Sequence, residues 1–271
     1  MIITNILNGI GKKLGSKKQK STYKKIGWLT EKFIKHQDDI HIKSKNFNHF
    51  VLKYKRPYEV IKTYKEIFNQ QIYKFINKSE YPVIIDCGAN IGISTIYFAI
   101  AYPNARVYAF EPDNTLFEIL HQNIQDNKLQ HVALFNEAIW IQDTHISFSN
   151  KGSEASQIDI SGESETKVKA INFANFLTQF DKIDFLKIDI EGAEYEVVKH
   201  CAESLNKTEN LFLEYHGTSS DTHKLIELLS IVKRAGFKVY IKMAADCLYN
   251  PFVAQTTGTP FDVQLNIFCY K

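Results

Sequence analysis

Two short apolar runs late in the chain each lead into a pair of side chains that can accept protons. Asp189 and Glu191 follow the run IDFLKI, and Glu214 and His216 close the run NLFLEYH. Because side chains alternate along an extended strand, each pair should lie on one face, and the two pairs could converge. Such a group is suited to taking a proton from a hydroxyl nucleophile, which can contribute about 10²–10⁴-fold to a rate.

All four of these side chains are predicted to be catalytic. Histidine has an unperturbed pKa near ~6.5, so we predict His216 as the general base, with Glu214 or Asp189 orienting its ring. The alternative is that the four groups bind a divalent metal that lowers the pKa of the acceptor hydroxyl. Because nothing in the spacing fixes a coordination geometry, we predict no metal ligand. Glu194 and Glu196, just downstream, are predicted to lie on a solvated helix surface.

A glycine-containing turn earlier in the chain has the features of a cofactor site. The run VIID ends at Asp86 and leads through Gly88, Asn90 and Gly92 into a helix predicted from Ile93. Glycines let a ligand approach the backbone, and a helix start offers free N–H groups. The turn lacks the G-x-G-x-x-G pattern of dinucleotide sites, which disfavours a pyrophosphate. A carboxylate here suits a cofactor with a cationic end, as in S-adenosylmethionine.

Acidic residues at the ends of later strands extend this predicted site. Glu111 follows the run RVYAF, 25 residues after Asp86. It is positioned to accept hydrogen bonds from both ribose hydroxyls. Asp113 is predicted to cap the next helix. Glu137 and Ala138, in the third run VALFNEAI, are predicted to border the adenine, and Asp189 is predicted to border the cofactor as well as to act in catalysis.

The order of apolar runs predicts the scaffold that positions these residues. From residue 83 onward, strand-like runs alternate with helical patterns, which indicates a parallel sheet. The last two runs, FKVYIKM and VQLNIFCYK, have no helical pattern between them, so we predict an antiparallel closing strand. Upstream, KTYKEIFNQQIYKFI is predicted to form one helix that ends before Pro82. Residues 150–167 are predicted to form a long loop or a loose hairpin.

Three stretches of the sequence resemble a known family. IIDCGANIGISTIYFA, VYAFEPD and FLKIDIEGAEYEVV together resemble the FkbM-type methyltransferases, over roughly residues 80–216. The resemblance implies a Rossmann-like class I methyltransferase fold, with a seven-stranded, mostly parallel sheet and helices on both faces. It also implies that the glycine turn holds the methionine end of S-adenosylmethionine and that Glu111 holds its ribose. The family often has an acid near INFANFL, where this chain has Asn172.

The charge of the chain is unevenly distributed. Residues 1–36 contain nine of the 33 basic residues but a single acid, Glu31. Apolar residues at helical spacing precede most of these lysines, so residues 1–36 could rest on an anionic membrane surface. The charges follow the apolar stretch, which argues against a signal peptide, and no apolar run reaches the ~18–20 residues of a membrane span. The four cysteines are predicted to be reduced thiols, which indicates a cytoplasmic protein.

The predicted organisation is a basic arm over 1–50, a helical lead-in over 51–80 and a methyltransferase domain over 81–271. The family resemblance implies methylation of a hydroxyl of a sugar or glycan, such as a cell-surface polysaccharide, a glycolipid or a related secondary metabolite. The alternatives are a methyltransferase for RNA or another non-sugar acceptor, and a non-catalytic membrane-associated module. No nucleic-acid partner is expected, because the basic residues lie in one arm and not around the site.

Overall fold

The computed structural model describes residue 23 and residues 25–149, 157–158, 167–248, 250–253 and 260–271. Its strands are β1 (Lys43–Asn46), β2 (Val51–Tyr54), β3 (Val83–Cys87), β4 (Arg106–Phe110), β5 (Val132–Phe135), β6 (Ala138–Trp140), β7 (Thr144–Ser149), β8 (Gln157–Ile158), β9 (Lys167–Asn172), β10 (Ile183–Ile188), β11 (Thr208–Gly217), β12 (Lys238–Ala245) and β13 (Val263–Tyr270). Its α-helices are α1 (Trp28–Lys35), α2 (Pro57–Tyr64), α3 (Ile93–Ala101), α4 (Asn114–Asp126), α5 (Phe173–Leu177), α6 (Glu194–His200) and α7 (Thr222–Arg234).

The main sheet has seven strands in the order β12-β13-β11-β10-β3-β4-β5. Strands β3, β4, β5, β10 and β11 are parallel, and β13 runs antiparallel to both of its neighbours. The predicted fold class and the antiparallel closing strand are therefore confirmed. Strand order reverses between β3 and β10, and ligands of open α/β sheets bind at the carboxyl ends of strands at such a point.

Helices cover both faces of this sheet. Helices α3 and α4 pack on one face with the N-terminal elements, while α5, α6 and α7 pack on the other. The sandwiched strand β3 is buried along its whole length, as its unbroken run of mostly aliphatic residues predicts. Asp113 accepts hydrogen bonds from the first-turn N–H groups of Thr115 and Leu116, so its predicted role as a cap is confirmed.

The third predicted run does not form a single strand. It divides between β5 in the main sheet and β6 in a second sheet of order β6-β9-β7-β8. Between them, the Asn136 side chain donates hydrogen bonds to the carbonyls of Glu111 and Pro112, at 3.0 and 3.3 Å. These bonds hold the chain at the end of β4, where it leaves the main sheet. Of the predicted loop over 150–167, the structure describes only β8 and residue 167.

The N-terminal part of the chain differs from the prediction. The helical lead-in begins with strand β2, and its helix ends in a π-helical turn over Lys65–Asn69, short of the predicted end. Beyond it, Gln71 has a φ of 54°, and the irregular segment that follows buries Tyr73. Phe75 stacks on the ring of Tyr102 at 4.2 Å and exchanges two backbone hydrogen bonds with its hydroxyl. These tertiary contacts replace the helix that the apolar spacing predicts.

Part of the predicted basic arm is folded. Helix α1 and strand β1 lie within residues 1–50, and β1 pairs with β2 just beyond them. Residues 1–22 and Lys24 lie outside the described residues. The side-chain amide of Asn123, on α4, bonds to both backbone groups of Lys53 in β2 and also donates to the carbonyl of Ile91 at 2.8 Å. One buried side chain therefore joins the N-terminal elements to the glycine turn.

Two further sequence-based expectations bear on the whole chain. All four cysteines are free, as predicted, and three of them are buried. Within the described ranges, no helix combines the length and the apolar character that crossing a membrane requires.

Candidate active site

The glycine turn between β3 and α3 adopts a backbone that requires its small residues. Gly88 and Gly92 have φ values of 81° and 92°, and Asn90 has a φ of 52°. A Cβ on Gly88 would lie 1.8 Å from the carbonyl oxygen of Asp189, so the turn touches the end of β10 directly. The N–H groups of Gly88 and Ala89 donate to the Phe110 carbonyl, which fixes the turn against β4.

Asp86 lies beneath this turn. Its side chain is fully buried, and its Oδ2 accepts hydrogen bonds from the hydroxyls of Ser94 and Thr95, both at 2.7 Å. The other oxygen, Oδ1, lies 3.4 Å from the Nζ of Lys187. The carboxylate has no exposed surface in this structure, so the geometry supports an effect on a ligand through the turn and Lys187. Its role in cofactor binding stays a prediction.

Lys187, one residue before the end of the buried strand β10, is a functional candidate that the sequence reasoning missed. Its Nζ lies 3.1 Å from Asp189 Oδ2 and 3.0 Å from the carbonyl oxygen of Gly88. Burial alone would lower the pKa of Lys187, but Asp189 and Asp86 outweigh burial and raise it. The signal was available, because a lysine inside an apolar strand must be paired to be buried.

Glu111 lies at the end of β4, as predicted, and is nearly buried. One carboxylate oxygen accepts from the N–H of Asn90 at 2.8 Å, and the other accepts from the N–H of Asp113 at 2.9 Å. Burial nevertheless raises the pKa of Glu111 to about 7. Additional hydrogen-bond donors, such as the hydroxyls of a ribose, would favour its ionised form.

Glu137 and Ala138 follow the end of β5, where the chain passes from the main sheet to the second sheet. Ala138 is buried in β6, opposite Ala170 of β9, and the carboxylate of Glu137 forms an ion pair with Lys169. The run places Asn136 against the end of β4 instead. That Glu137 and Ala138 border the adenine stays a prediction.

The structure brings the four predicted catalytic side chains together at the carboxyl ends of β10 and β11. His216 is 6% exposed, and its Nε2 lies 3.6 Å from Glu191 Oε2 and 3.8 Å from Glu214 Oε1. Ligand atoms of Asp189, Glu214 and His216 all lie within 4.8 Å of one another. The expected convergence of the two strand-end pairs is found.

Glu194 corrects the prediction of a solvated helix surface. The side chain is fully buried, and its carboxylate accepts hydrogen bonds from the N–H groups of Ile190 and Gly192, at 3.0 and 3.1 Å. Its Oε1 also lies 3.3 Å from the Nδ1 of His216. The first turn of α6 points inward, so Glu194 orients the imidazole, a role the sequence assigned to Glu214 or Asp189. Glu196 is partly exposed.

Burial and neighbouring charges raise the pKa values of three side chains in this cluster: His216, Glu191 and Glu214. Burial would lower the pKa of His216, but the hydrogen bond and charge of Glu194 and the charge of Glu191 outweigh burial and raise it. Burial is the largest cause of the raised pKa of Glu191 and of Glu214. The pKa values of His216, Glu191 and Glu214 are thus all raised, and which of the three takes up a proton from an acceptor stays a prediction.

Two elements that the sequence reasoning did not connect with the site also contribute to it. Glu66 of the π-helical turn interacts electrostatically with Glu214, and buried Tyr73 interacts in the same way with Lys187. The ring of Phe261, just before β13, lies 5.4 Å from the imidazole of His216. No motif marks these residues, since only the fold brings them to β10 and β11.

Asn172, the position at which the chain departs from the resembled family, caps a helix. Its Oδ1 accepts a hydrogen bond from the N–H of Asn175 at 3.2 Å and lies 3.1 Å from the Nε2 of His200. These contacts fix the start of α5. They give the residue a structural role.

Three features define a Rossmann-like class I methyltransferase fold. Strand order reverses between β3 and β10, the last strand is antiparallel, and acids lie at the strand ends. Among known sequences, residues 86–239 match the methyltransferase FkbM domain. Because the match covers more than half of the chain, the protein belongs to the FkbM methyltransferase family and is an S-adenosylmethionine-dependent methyltransferase.

Three curated relatives show the breadth of this similarity. Methyltransferase sdnD of Sordaria araneosa is 27% identical over 176 residues, which cover 52% of this chain and 68% of sdnD. The 2-O-methyltransferase NoeI of Sinorhizobium fredii is 27% identical over 168 residues, covering 54% and 68% of the two chains. The hexuronic acid methyltransferase AglP of Haloferax volcanii is 28% identical over 157 residues, covering 57% and 64%.

Proposed function

We propose that this protein is an O-methyltransferase that methylates a hydroxyl of a sugar or glycan. The observation that carries the proposal is the group of His216, Glu191 and Glu214, which lies at the carboxyl ends of β10 and β11. The names of two relatives support the acceptor class, since NoeI is a 2-O-methyltransferase and AglP a hexuronic acid methyltransferase. An alkyl hydroxyl is a weak nucleophile at neutral pH, so its methylation gains from a proton acceptor at this place.

The residues at the ends of β3 and β4 fit the methyl donor. S-adenosylmethionine, when bound, supplies a methyl group on a cationic sulfur, with a neutral thioether as the leaving group. The turn from Gly88 to Gly92 would hold its methionine end, and Glu111 would hold its ribose. Gly88 is the supporting observation, because a Cβ there would lie 1.8 Å from the Asp189 carbonyl oxygen, so glycine lets the turn pack directly against the end of β10. The partly exposed acids of β10 and β11 suit a cationic group.

The protein's part in the reaction is to position the acceptor and take up its proton. The acceptor oxygen would give its proton to Glu191 or Glu214, while Glu194 keeps the imidazole of His216 oriented between them. A positively charged His216 also stabilises the two carboxylates as they exchange that proton. Phe261 lies over this imidazole and would exclude water from the acceptor.

Transfer of a labelled methyl group tests the proposal. The full chain is incubated with methyl-labelled S-adenosylmethionine and, separately, with neutral oligosaccharides, hexuronic acids and total RNA. We expect label in a sugar fraction as an alkali-stable methyl ether, and none in RNA. Label confined to RNA or to a non-sugar acceptor would contradict the proposed acceptor class. Calorimetry with S-adenosylhomocysteine tests the donor site independently of the acceptor, and an absence of binding would overturn the assignment of that site.

A further inference from the structure

Helix α1 presents a second apolar face that the core does not use. Ile34 is fully buried, whereas Trp28, Leu29 and Phe33 are 69%, 74% and 65% exposed. At about 100° per residue, these three side chains fall within an arc of roughly 140° that faces away from Ile34. Three large apolar side chains exposed on one helical surface indicate an interaction site, because single exposed residues are common but clusters are not.

Basic side chains run through this surface. Lys32 lies within the same arc, with its Nζ 5.3 Å from the centre of the Trp28 ring. At one edge, the Nζ of Lys35 lies 5.5 Å from the ring of Tyr58, which is itself exposed. Aromatic rings beside lysines are typical of the membrane interface, where the rings sit at headgroup level and the ammonium groups reach the phosphates.

The acid of this helix lies outside the apolar arc and offsets the charge of Lys35, while Lys32 lies over the Trp28 ring. Glu31 lies on the side that faces the rest of the protein, where its carboxylate pairs with Lys35 and Lys65 at 2.8 and 2.7 Å. The sequence that leads into α1 continues the positive charge, since residues 1–24 contain six lysines and no acid. The apolar surface is therefore bordered by positive charge along the chain.

We propose that α1 docks on the surface of an anionic lipid bilayer, with Trp28, Leu29 and Phe33 inserted at the level of the headgroups. The charge decides between occupants. A second copy of this chain would bring two basic surfaces together, whereas an anionic bilayer offers both an apolar layer and countercharge. The docking surface is formed by residues outside the methyltransferase site, so the proposal stands apart from the choice of acceptor.

Vesicle binding by the full chain tests this proposal. Co-flotation is measured with phosphatidylcholine vesicles and with vesicles in which about a third of the lipid is phosphatidylglycerol, an anionic fraction that attracts basic segments. We expect at least about tenfold stronger binding to the anionic vesicles, reduced at high salt. Equal binding to both vesicle types, or no binding to either, would refute the proposal.

Substitution of the apolar face locates the contact. The triple variant Trp28→Ser, Leu29→Ser and Phe33→Ser should bind anionic vesicles at least about tenfold more weakly, since these side chains supply the buried apolar area. A matched control carries serine at three other exposed apolar positions: Ile226, Tyr240 and Met243. It should bind like the original chain. Equal binding by the triple variant would show that another surface carries the contact.

Fluorescence reports the docking directly in a protein that remains folded. The chain has two tryptophans, so the Trp140→Phe variant leaves Trp28 as the reporter. Anionic vesicles should shift its emission to shorter wavelength and protect it from acrylamide, because the indole leaves water. A spectrum that does not respond to saturating anionic vesicles would place Trp28 outside the interface and contradict the proposal. Unchanged binding of S-adenosylhomocysteine shows that each variant keeps its fold.

Discussion

Acidic side chains end two neighbouring pairs of strands in the main sheet, and their surroundings differ. At β3 and β4, Asp86 and Glu111 accept hydrogen bonds from hydroxyl and backbone N–H groups that are fixed by the turn and by α3. At β10 and β11, Glu191 and Glu214 instead lie beside each other's charge and beside His216. The first pair is held by hydrogen bonds, while the second pair lies among other ionisable groups. The same residue type therefore suits the positioning of a ligand in one place and, in the proposed reaction, the uptake of a proton in the other.

The largest expected effect comes from the side chain that joins the two regions. Lys187→Met would leave Asp86 and Asp189 without their shared cation in a buried place, which typically costs about 3–5 kcal/mol. We expect this loss in the free energy of unfolding, measured by urea denaturation, together with the loss of methyl transfer. Lys199→Met, at an exposed position, is the control and should change stability by less than about 1 kcal/mol. A Lys187→Met protein as stable as the original would show that the two regions are independent.

Glu194 tests whether the β10–β11 pair depends on an oriented imidazole. Glu194→Gln keeps much of the shape but removes the charge opposite Nδ1 of His216, so the pKa of His216 should fall. We expect about a 10²-fold loss of turnover, with a changed pH profile, which a purely structural role would not produce. Glu196→Gln on the same helix is the matched control, and both measurements should be unchanged. An unshifted pH profile in Glu194→Gln would remove Glu194 from the proton-transfer group.

Glu111 tests the fixed pair through pH. Its pKa is raised to about 7 by burial, so the folded protein holds this proton more strongly than the unfolded chain does. The stability from this group is thus present at low pH and falls as pH rises from about 5 through 7. Glu111→Gln should flatten that fall in the free energy of unfolding and weaken binding of S-adenosylhomocysteine by about tenfold, because amide hydrogen bonds are weaker than charged ones. Asp113 is left unchanged, so the cap of α4 is the same in both proteins. If the free energy of unfolding falls equally with pH in both proteins, burial does not raise the pKa of Glu111.

The smallest expected effect concerns metal. Asp189, Glu214 and His216 are close enough to ligate a cation, but in the proposed reaction Glu191 or Glu214 takes up the proton of the acceptor and no cation is needed. We therefore expect methyl transfer to continue unchanged after treatment with EDTA. If activity is lost and added Mg²⁺ restores it, the acids of β10 and β11 bind a metal. That result would also separate them more sharply from the acids of β3 and β4.

The strand-end residues were predictable because apolar runs and alternation place them at one edge of the sheet. Glu194 and Lys187 show why the rest was not. A glutamate in the first turn of a short helix looks solvent-exposed in sequence, and only the turn at Glu191 and Gly192, with φ values of 55° and 103°, points it inward. The residues after Asn69 have helical spacing, yet the stacking of Phe75 on Tyr102 holds them in another conformation.

The buried amide of Asn123 determines where this enzyme can be divided. It bonds to β2 on one side and to the carbonyl of Ile91 in the glycine turn on the other, so the turn is braced by residues that precede the matched family domain. A fragment that begins at residue 80 would keep every strand of the main sheet and lose that brace. We therefore expect the smallest unit that folds with a rigid glycine turn to start no later than β2, upstream of the first residue of the matched family domain.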